Sequence, residues 1–146
     1  KMIIVSATFK LHPANATSLA KAKSIYMNNI TYRKDHHPIE YPSCGSVFKN
    51  ISDPKQVERI LITWPDIKEV VEAKWHGKVS MGYIINRLGF SGLQIGKMQV
   101  SRKHANFIIN LGNGKAKEII MVIKEIQDKV QQTFGFIPEV EVEMVG

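Results

Sequence analysis

Ile119, Val122, Ile123, Ile126, Val130 and Phe134 recur at three- and four-residue intervals near the end of this 146-residue chain. That spacing predicts an amphipathic helix, and its apolar stripe has to be covered by other layers. Elsewhere the pattern alternates between helix and strand. Met2 to Leu11 reads as a strand on its Ile3, Val5, Thr8 and Phe9. Asn15 is a helix cap, with Leu19, Ala22, Tyr26 and Ile30 on one face of a helix reaching about Arg33. Asp53-Pro54 opens a short helix to about residue 62, and Trp64-Pro65 breaks it. Asp66 with Glu69 has the form of a capping box for a further helix through Ala73. Ser80 to Leu88 is another, stopped by Gly89.

Gln99 to Ser101 and Asn106 to Leu111 look extended, and Gly112-Asn113-Gly114 is a turn. The end reads as a strand, with Val140, Val142 and Met144 on one face and Glu139, Glu141 and Glu143 on the other. Separated strands and helices predict one α+β domain, a small mixed sheet packed by helices.

Composition narrows the function. Apolar residues make up 44% and charged residues 23%, ordinary for a globular domain. No apolar run approaches the roughly 18 residues that span a bilayer. A single cysteine, Cys44, excludes an internal disulfide and a cysteine-based zinc site, and makes the cytoplasm the expected compartment. The chain does not begin with Met and opens in a strand pattern, as a piece of a longer protein would. Its net charge of +7 favours an anionic partner: a nucleotide, a phosphorylated small molecule or nucleic acid.

Three segments are hard to explain as packing alone. In Tyr41-Pro42-Ser43-Cys44-Gly45-Ser46-Val47-Phe48-Lys49-Asn50, Pro42 and Gly45 shape a tight turn around Ser46. The hydroxyl of Ser46, the ammonium of Lys49 and the amide of Asn50 together suit an anionic, oxygen-rich ligand. Gln99, Ser101, Arg102, His104 and Asn106 form a second polar cluster, suited to a phosphate or a base. The three C-terminal glutamates are either a solvated edge or contain a general acid facing a cleft. Lys78 precedes the Ser80 helix, where phosphate is favoured, but Gly77-Lys78 lacks the upstream glycine of a phosphate loop. Trp75 could stack a base or pack in the core. His36 and His37 read as ordinary loop residues with no metal-ligand set around them, and Cys44 as a small turn residue.

The order and spacing of these segments resemble the C-terminal, substrate-binding domain of UDP-N-acetylenolpyruvoylglucosamine reductase. Tyr41 to Asn50 is similar to that family's Pro-Ser-Ala-Gly-Ser-x-Phe-Lys-Asn signature. Gly92 to Phe107 is similar to its Lys-Gly-x-x-Ile-Gly-Gly-Ala-Gln-Val-Ser to His-Ala-Asn-Phe stretch. Phe134-Gly135 to Val145-Gly146 follows its closing segment without a gap. Departures are Ile51 after the signature, Ser91 before Gly92, Lys97 and Met98 in the Gly-Gly-Ala positions, and Pro138 and Glu143 near the end.

The resemblance implies a flavoenzyme that uses FAD and NADPH to reduce UDP-N-acetylglucosamine enolpyruvate to UDP-N-acetylmuramate in peptidoglycan synthesis. It implies Ser46 as proton donor and Glu141 as the acid that stabilises the anionic intermediate, in its protonated form, with Glu139 in that place if the register slips. Lys34, Asn50, Lys78, Gln99 and His104 fall at substrate-binding positions. The FAD domain and a catalytic arginine would lie upstream of Lys1, leaving the fragment inactive alone. The basic charge would then serve a diphosphate and a carboxylate rather than nucleic acid or a membrane. A non-catalytic nucleotide-sugar or RNA-binding module on the same scaffold is the alternative, and flavin-domain sequence upstream would separate the two.

Overall fold

The apolar stripe of the last helix is covered from Val122 onward, with Ile119 partly buried, in the computed structural model, which describes residues 4–145. Helix α5 (Ala116–Phe134) buries Val122, Ile123, Ile126, Val130 and Phe134, as its periodicity predicts. Gly135 ends it in the left-handed conformation, φ 76°, which a side chain would oppose. What covers α5 is a four-stranded sheet and helix α2 (Pro54–Thr63). The strands are β1 (Ser43–Ser46), β2 (Gln94–Ile95), β3 (Met98–Val100) and β4 (Phe107–Asn110), in the order β1-β4-β3-β2. The class is α+β as expected. The sheet, however, is antiparallel at every pairing rather than mixed. Its strands are short and joined by turns, and a parallel pair would need a long crossover.

The described residues fall into two compact units, divided between Asp35 and His36. The first holds helix α1 (Ala16–His36) up to its last residue, capped where Asn15 Oδ1 accepts the Ser18 N–H at 2.8 Å. Its predicted apolar face is present in sequence but buries no residue; Leu19 is 53% exposed and Tyr26 63%. The strand expected over Met2 to Leu11 does not form in its described part. Residues 4–11 have no ladder partner, and Val5 and Phe9 lie open to solvent. Strand-forming side chains make a strand only where an edge is there to pair with.

In the second unit Asp53 caps α2, accepting the N–H groups of Lys55 and Gln56 at 2.8 and 3.2 Å. The capping box expected at Asp66 and Glu69 is absent. Asp66 sits in a 3-10 turn (Pro65–Ile67) ahead of α3 (Lys68–Ala73), and no side chain caps α3. Its carboxylate instead takes both arms of Arg87, at 2.6 and 2.9 Å. Arg87 closes α4 (Met81–Arg87) and lies 4.4 Å from the centre of the Trp64 ring, tying α4 to the break after α2. The expected terminal strand is reduced to one bridge, Phe48 with Val140. The alternation survives there: Val140 and Val142 pack against the core while Glu139, Glu141 and Glu143 are exposed.

Between β3 and β4 the chain makes a tight turn. Ser101 Oγ accepts the N–H groups of Lys103 and His104, and His104 Nδ1 accepts the Asn106 N–H at 3.3 Å. The His104 ring sits 4.7 Å from Phe107 and 5.4 Å from His37. Burial first, and the neighbouring His37 second, hold its pKa below the ordinary 6.5. The unfolded chain therefore binds this proton more tightly than the folded one. Stability from the group is present above about pH 6.5 and is lost as the pH falls through the lower folded value.

Two measurements follow. Urea unfolding of Ile126→Ala should show a loss of about 2–5 kcal/mol, the usual cost of a cavity at a fully buried isoleucine. Leu19→Ala on the exposed helix should stay within about 0.5 kcal/mol of the parent. A thermal melt series from pH 8 to pH 5 should show the melting temperature falling on the acid side, and His104→Gln should flatten that limb.

Candidate functional site

Ser46 ends an edge strand rather than occupying the middle of the turn that Pro42 and Gly45 suggest. Ser43 pairs with Ile109 and Ser46 with Phe107, so three steps along β1 match two along β4. The extra residue is a bulge, and Gly45 makes it possible with φ 84°, a conformation that side chains resist. Bulges re-aim the residues that follow them. Here the following residue is Ser46, half-buried at the strand end.

Beyond Ser46 the ladder with β4 gives way to a side chain. Asn106, 3% exposed, accepts the Phe48 N–H through Oδ1 at 3.0 Å and donates Nδ2 to the Phe48 carbonyl at 2.8 Å. Its own carbonyl takes the Val47 N–H at 2.8 Å. The amide thus imitates a strand edge for Phe48. The opposite edge of this segment is held by the C-terminal residues: Glu141 N–H donates to the Val47 carbonyl at 2.8 Å, and Lys49 N–H to the Glu139 carbonyl at 3.0 Å. Asn106 read in sequence as a possible ligand contact is an internal clamp, and nothing in the sequence pattern marks it as one.

These bonds bring Ser46, Lys49, Asn50 and Glu141 into neighbouring backbone positions. The Lys49 ammonium is ion-paired with the Glu139 carboxylate. That hydrogen bond, then the charge of Glu139 and last that of Glu141, raises the Lys49 pKa. No hydrogen-bond partner meets the Glu141 side chain among the described residues. Asn50 Oδ1 accepts the Met81 N–H at 3.1 Å and so caps α4, while Ser80 Oγ accepts the Tyr83 N–H. Lys49, Asn50, Ile51, Ser52, Asp53, Gln56, Ile137 and Glu139 line a polar hollow of about 250 Å³.

His104 opens on a different, larger basin of about 310 Å³, lined also by Ser80, Gly82, Tyr83, Asn86, Arg102 and Lys103. The Arg102 guanidinium lies flat against Gly92, where an added Cβ would come within 2.5 Å of its Cζ. No acidic group pairs with Arg102 among the described residues. A cation held against backbone with its charge unneutralised suits an anion. Tyr83 and Gly82, which sequence reasoning passed over, complete this lining; their only prior trace is their place in the helix after Ser80.

The other predicted positions are more dispersed. Gln99 Nε2 contacts the Gly92 carbonyl at 3.3 Å and Gln94 Oε1 at 3.4 Å, so its amide steadies the Gly92 loop. Lys78 is exposed on the loop before the Ile51–Val79 bridge. Lys34 lies on α1, in the first unit. His37 is not an ordinary loop residue: it stacks on Phe107 at 5.2 Å. Trp75 meets Tyr83 edge-on at 5.1 Å and packs against the core. No cluster of metal-ligating side chains is present among the described residues. Nor is any helix there long and apolar enough to cross a membrane.

The model of the family described as UDP-N-acetylenolpyruvoylglucosamine reductase, C-terminal domain, matches residues 37–145. Curated reductases of that name are similar along almost the whole chain. The one from Nostoc punctiforme is 35% identical over 99% of this chain and 35% of its own length. The one from Fervidobacterium nodosum is 33% identical over 98% of this chain and 38% of its own. The chain therefore spans little more than a third of the length of the curated relatives it matches. The crystal structure of UDP-N-acetylenolpyruvylglucosamine reductase (MurB) from Thermus caldophilus has a similar fold, with a TM-score of 0.53 at 24% identity, over 92% of this chain and 37% of that one. With the family model matching residues 37–145, most of the sequence, the chain belongs to the family of UDP-N-acetylenolpyruvoylglucosamine reductase C-terminal domains.

Proposed function

We propose that this chain is the substrate-binding part of a cytoplasmic enzyme that uses NADPH and FAD to reduce UDP-N-acetylglucosamine enolpyruvate to UDP-N-acetylmuramate. The observation that carries the reading is the bulge at Gly45, which sets Ser46 at a strand end directly before the clamped Val47 and Phe48. A serine hydroxyl is a weak acid, useful only toward a strong base at a fixed distance and angle. A carbanion beside a carboxylate is such a base, and a rigid strand end supplies the geometry.

The hollow that begins at Lys49 is lined by ammonium, amide, hydroxyl and carboxylate groups together with Ile51 and Ile137, and no aromatic side chain lines it for a flavin ring to stack against. We therefore assign no flavin-holding residue in this chain, and FAD and NADPH belong to the remainder of the protein. When bound, reduced FAD would supply the hydride. Ser46 Oγ would give its proton to the carbon that becomes negative, and Glu141, as the protonated acid, would meet the charge that spreads onto the substrate carboxylate.

Glu139 is the weaker candidate for that role, because the Lys49 ammonium already occupies it. The NH2 group of Asn50, whose oxygen is committed to α4, would orient the sugar-proximal end. His104, with Arg102 and Lys103 beside it, would receive the diphosphate or base in the larger basin. Lys34 and Lys78 would add cationic contacts. Gln99 would act through the Gly92 loop that it steadies.

Two experiments test this. In the full-length protein, Ser46→Ala should leave flavin reduction by NADPH nearly intact and slow reoxidation by the enolpyruvyl substrate by roughly 10²-fold or more. Ser46→Cys should recover part of that rate. Glu141→Gln should slow reoxidation selectively, and Glu139→Gln should not. Equal losses in both half-reactions for Ser46→Ala would make the loop structural and end the assignment.

On the fragment itself, NMR titration with UDP-N-acetylglucosamine should shift residues 34–50, 78 and 99–104 at millimolar ligand. No shift at that concentration would contradict the substrate-domain reading. A salt-dependent RNA interaction in its place would point to a nucleic-acid module.

A further inference from the structure

The segment from Ser46 to Lys49 is held on its two sides by unlike means. Up to Ser46 it is an ordinary antiparallel partner of β4, ending at the Ser46–Phe107 pair. One and two residues further on, every backbone partner on that side comes from Asn106: its carbonyl for Val47, and its side-chain amide for both polar groups of Phe48. On the other side the Val47 carbonyl receives the Glu141 N–H. Ser46 and Glu141 are thus referred to the same two residues, and those two residues are referred to Asn106.

We infer that Asn106 is a positioning residue for the proton transfer: its amide sets the place of Ser46 relative to Glu141. The inference rests on the proposed role of Ser46. The Asn106 side chain is buried, with one donor and one acceptor each matched to Phe48. No water can take over either bond without opening the core, so a change at this amide moves the Val47–Phe48 backbone. Its N–H is fixed as well, on His104 Nδ1. Asn106 itself sits behind the strand and reaches the reaction only through Val47 and Phe48. An aspartate there keeps the shape but turns an oxygen toward the Phe48 carbonyl, where a donor stood.

The test is a cycle in the full-length protein with Asn106→Asp, Ser46→Ala and the double variant, reading each half-reaction separately. Asn106→Asp should leave flavin reduction by NADPH within twofold of the parent. It should slow reoxidation by the enolpyruvyl substrate roughly 10- to 100-fold, the scale of a small misplacement of reacting groups. The dissociation constant for UDP-N-acetylglucosamine, from titration of the oxidised enzyme, should change less than threefold. In the Ser46→Ala background Asn106→Asp should slow reoxidation no further, because the group it positions is gone.

Asn106→Asp leaving reoxidation untouched, slowing both half-reactions alike, or keeping its full effect without Ser46 would overturn the inference. Ser46→Ala alone having no selective effect would instead overturn the underlying role of Ser46. If Asn106→Asp does not fold, Asn106→Ser, which is small enough to admit a water beside Phe48, is carried through the same cycle with the same outcomes decisive.

Discussion

A buried carboxamide is satisfied only if a donor and an acceptor face it at the right separation, and the backbone of one extended residue offers such a pair. Asn106 and Phe48 meet in this way across 58 positions of sequence. The bond pair joins the turn after β3 to the segment leaving β1. That segment in turn anchors the C-terminal residues through Val47 and Lys49 and, at Ile51, the loop before α4 through its bridge to Val79. Leaving either half of the amide unpaired in the core would carry a penalty of about 1–3 kcal/mol. The clamp is therefore directional as well as stabilising. It leaves Ser46 one way to emerge from the strand, once Gly45 has inserted its bulge.

Local chemistry was legible in the sequence where it depends on near neighbours. The stripe of α5, the Asp53 cap, the Ser80 helix with its Gly89 stop and the extended runs around Gln99 and Asn106 all follow from spacing within a few residues. Long-range pairings were not legible. Asp66 looked like a cap because Glu69 lies three residues on, yet Arg87, 21 residues away, takes its carboxylate. The strand expected near the start has no described edge to join, and the one at the end keeps its alternation with a single bridge. Asn106 gave no sign of its role, because a clamp of this kind is defined by what it meets and not by its flanks. The family signature around Ser46 identified the segment without revealing the bulge that shapes it.

Charge is arranged unevenly around the two hollows. Lys49 and Glu139 neutralise each other at the rim of the smaller one. Both are substantially exposed, so their pairing adds little to stability and matters mainly for leaving Glu141 without a hydrogen-bonded partner. In the larger basin Arg102, Lys103 and a His104 held toward neutrality face an open space, and Lys103 is partly offset by Glu40. Arg102 rests on a glycine where a side chain would be strained, since φ at Gly92 is 86°, and where an added Cβ would displace the guanidinium. The net positive charge lies in the larger basin, where an anionic group would find Arg102 and Lys103, whereas the smaller hollow adds Asp53 to the paired Lys49 and Glu139.

The central claim is that the clamped strand end delivers a proton from Ser46 to a bound enolpyruvyl group. A crystal structure of the full-length protein with that substrate and oxidised flavin tests it most directly. The account predicts Ser46 Oγ within about 3–3.5 Å of the carbon that takes the proton, the range of a near-attack geometry, with the Asn106 amide still paired to Phe48. A substrate whose enolpyruvyl group lies away from Ser46, with that pairing intact, would contradict it.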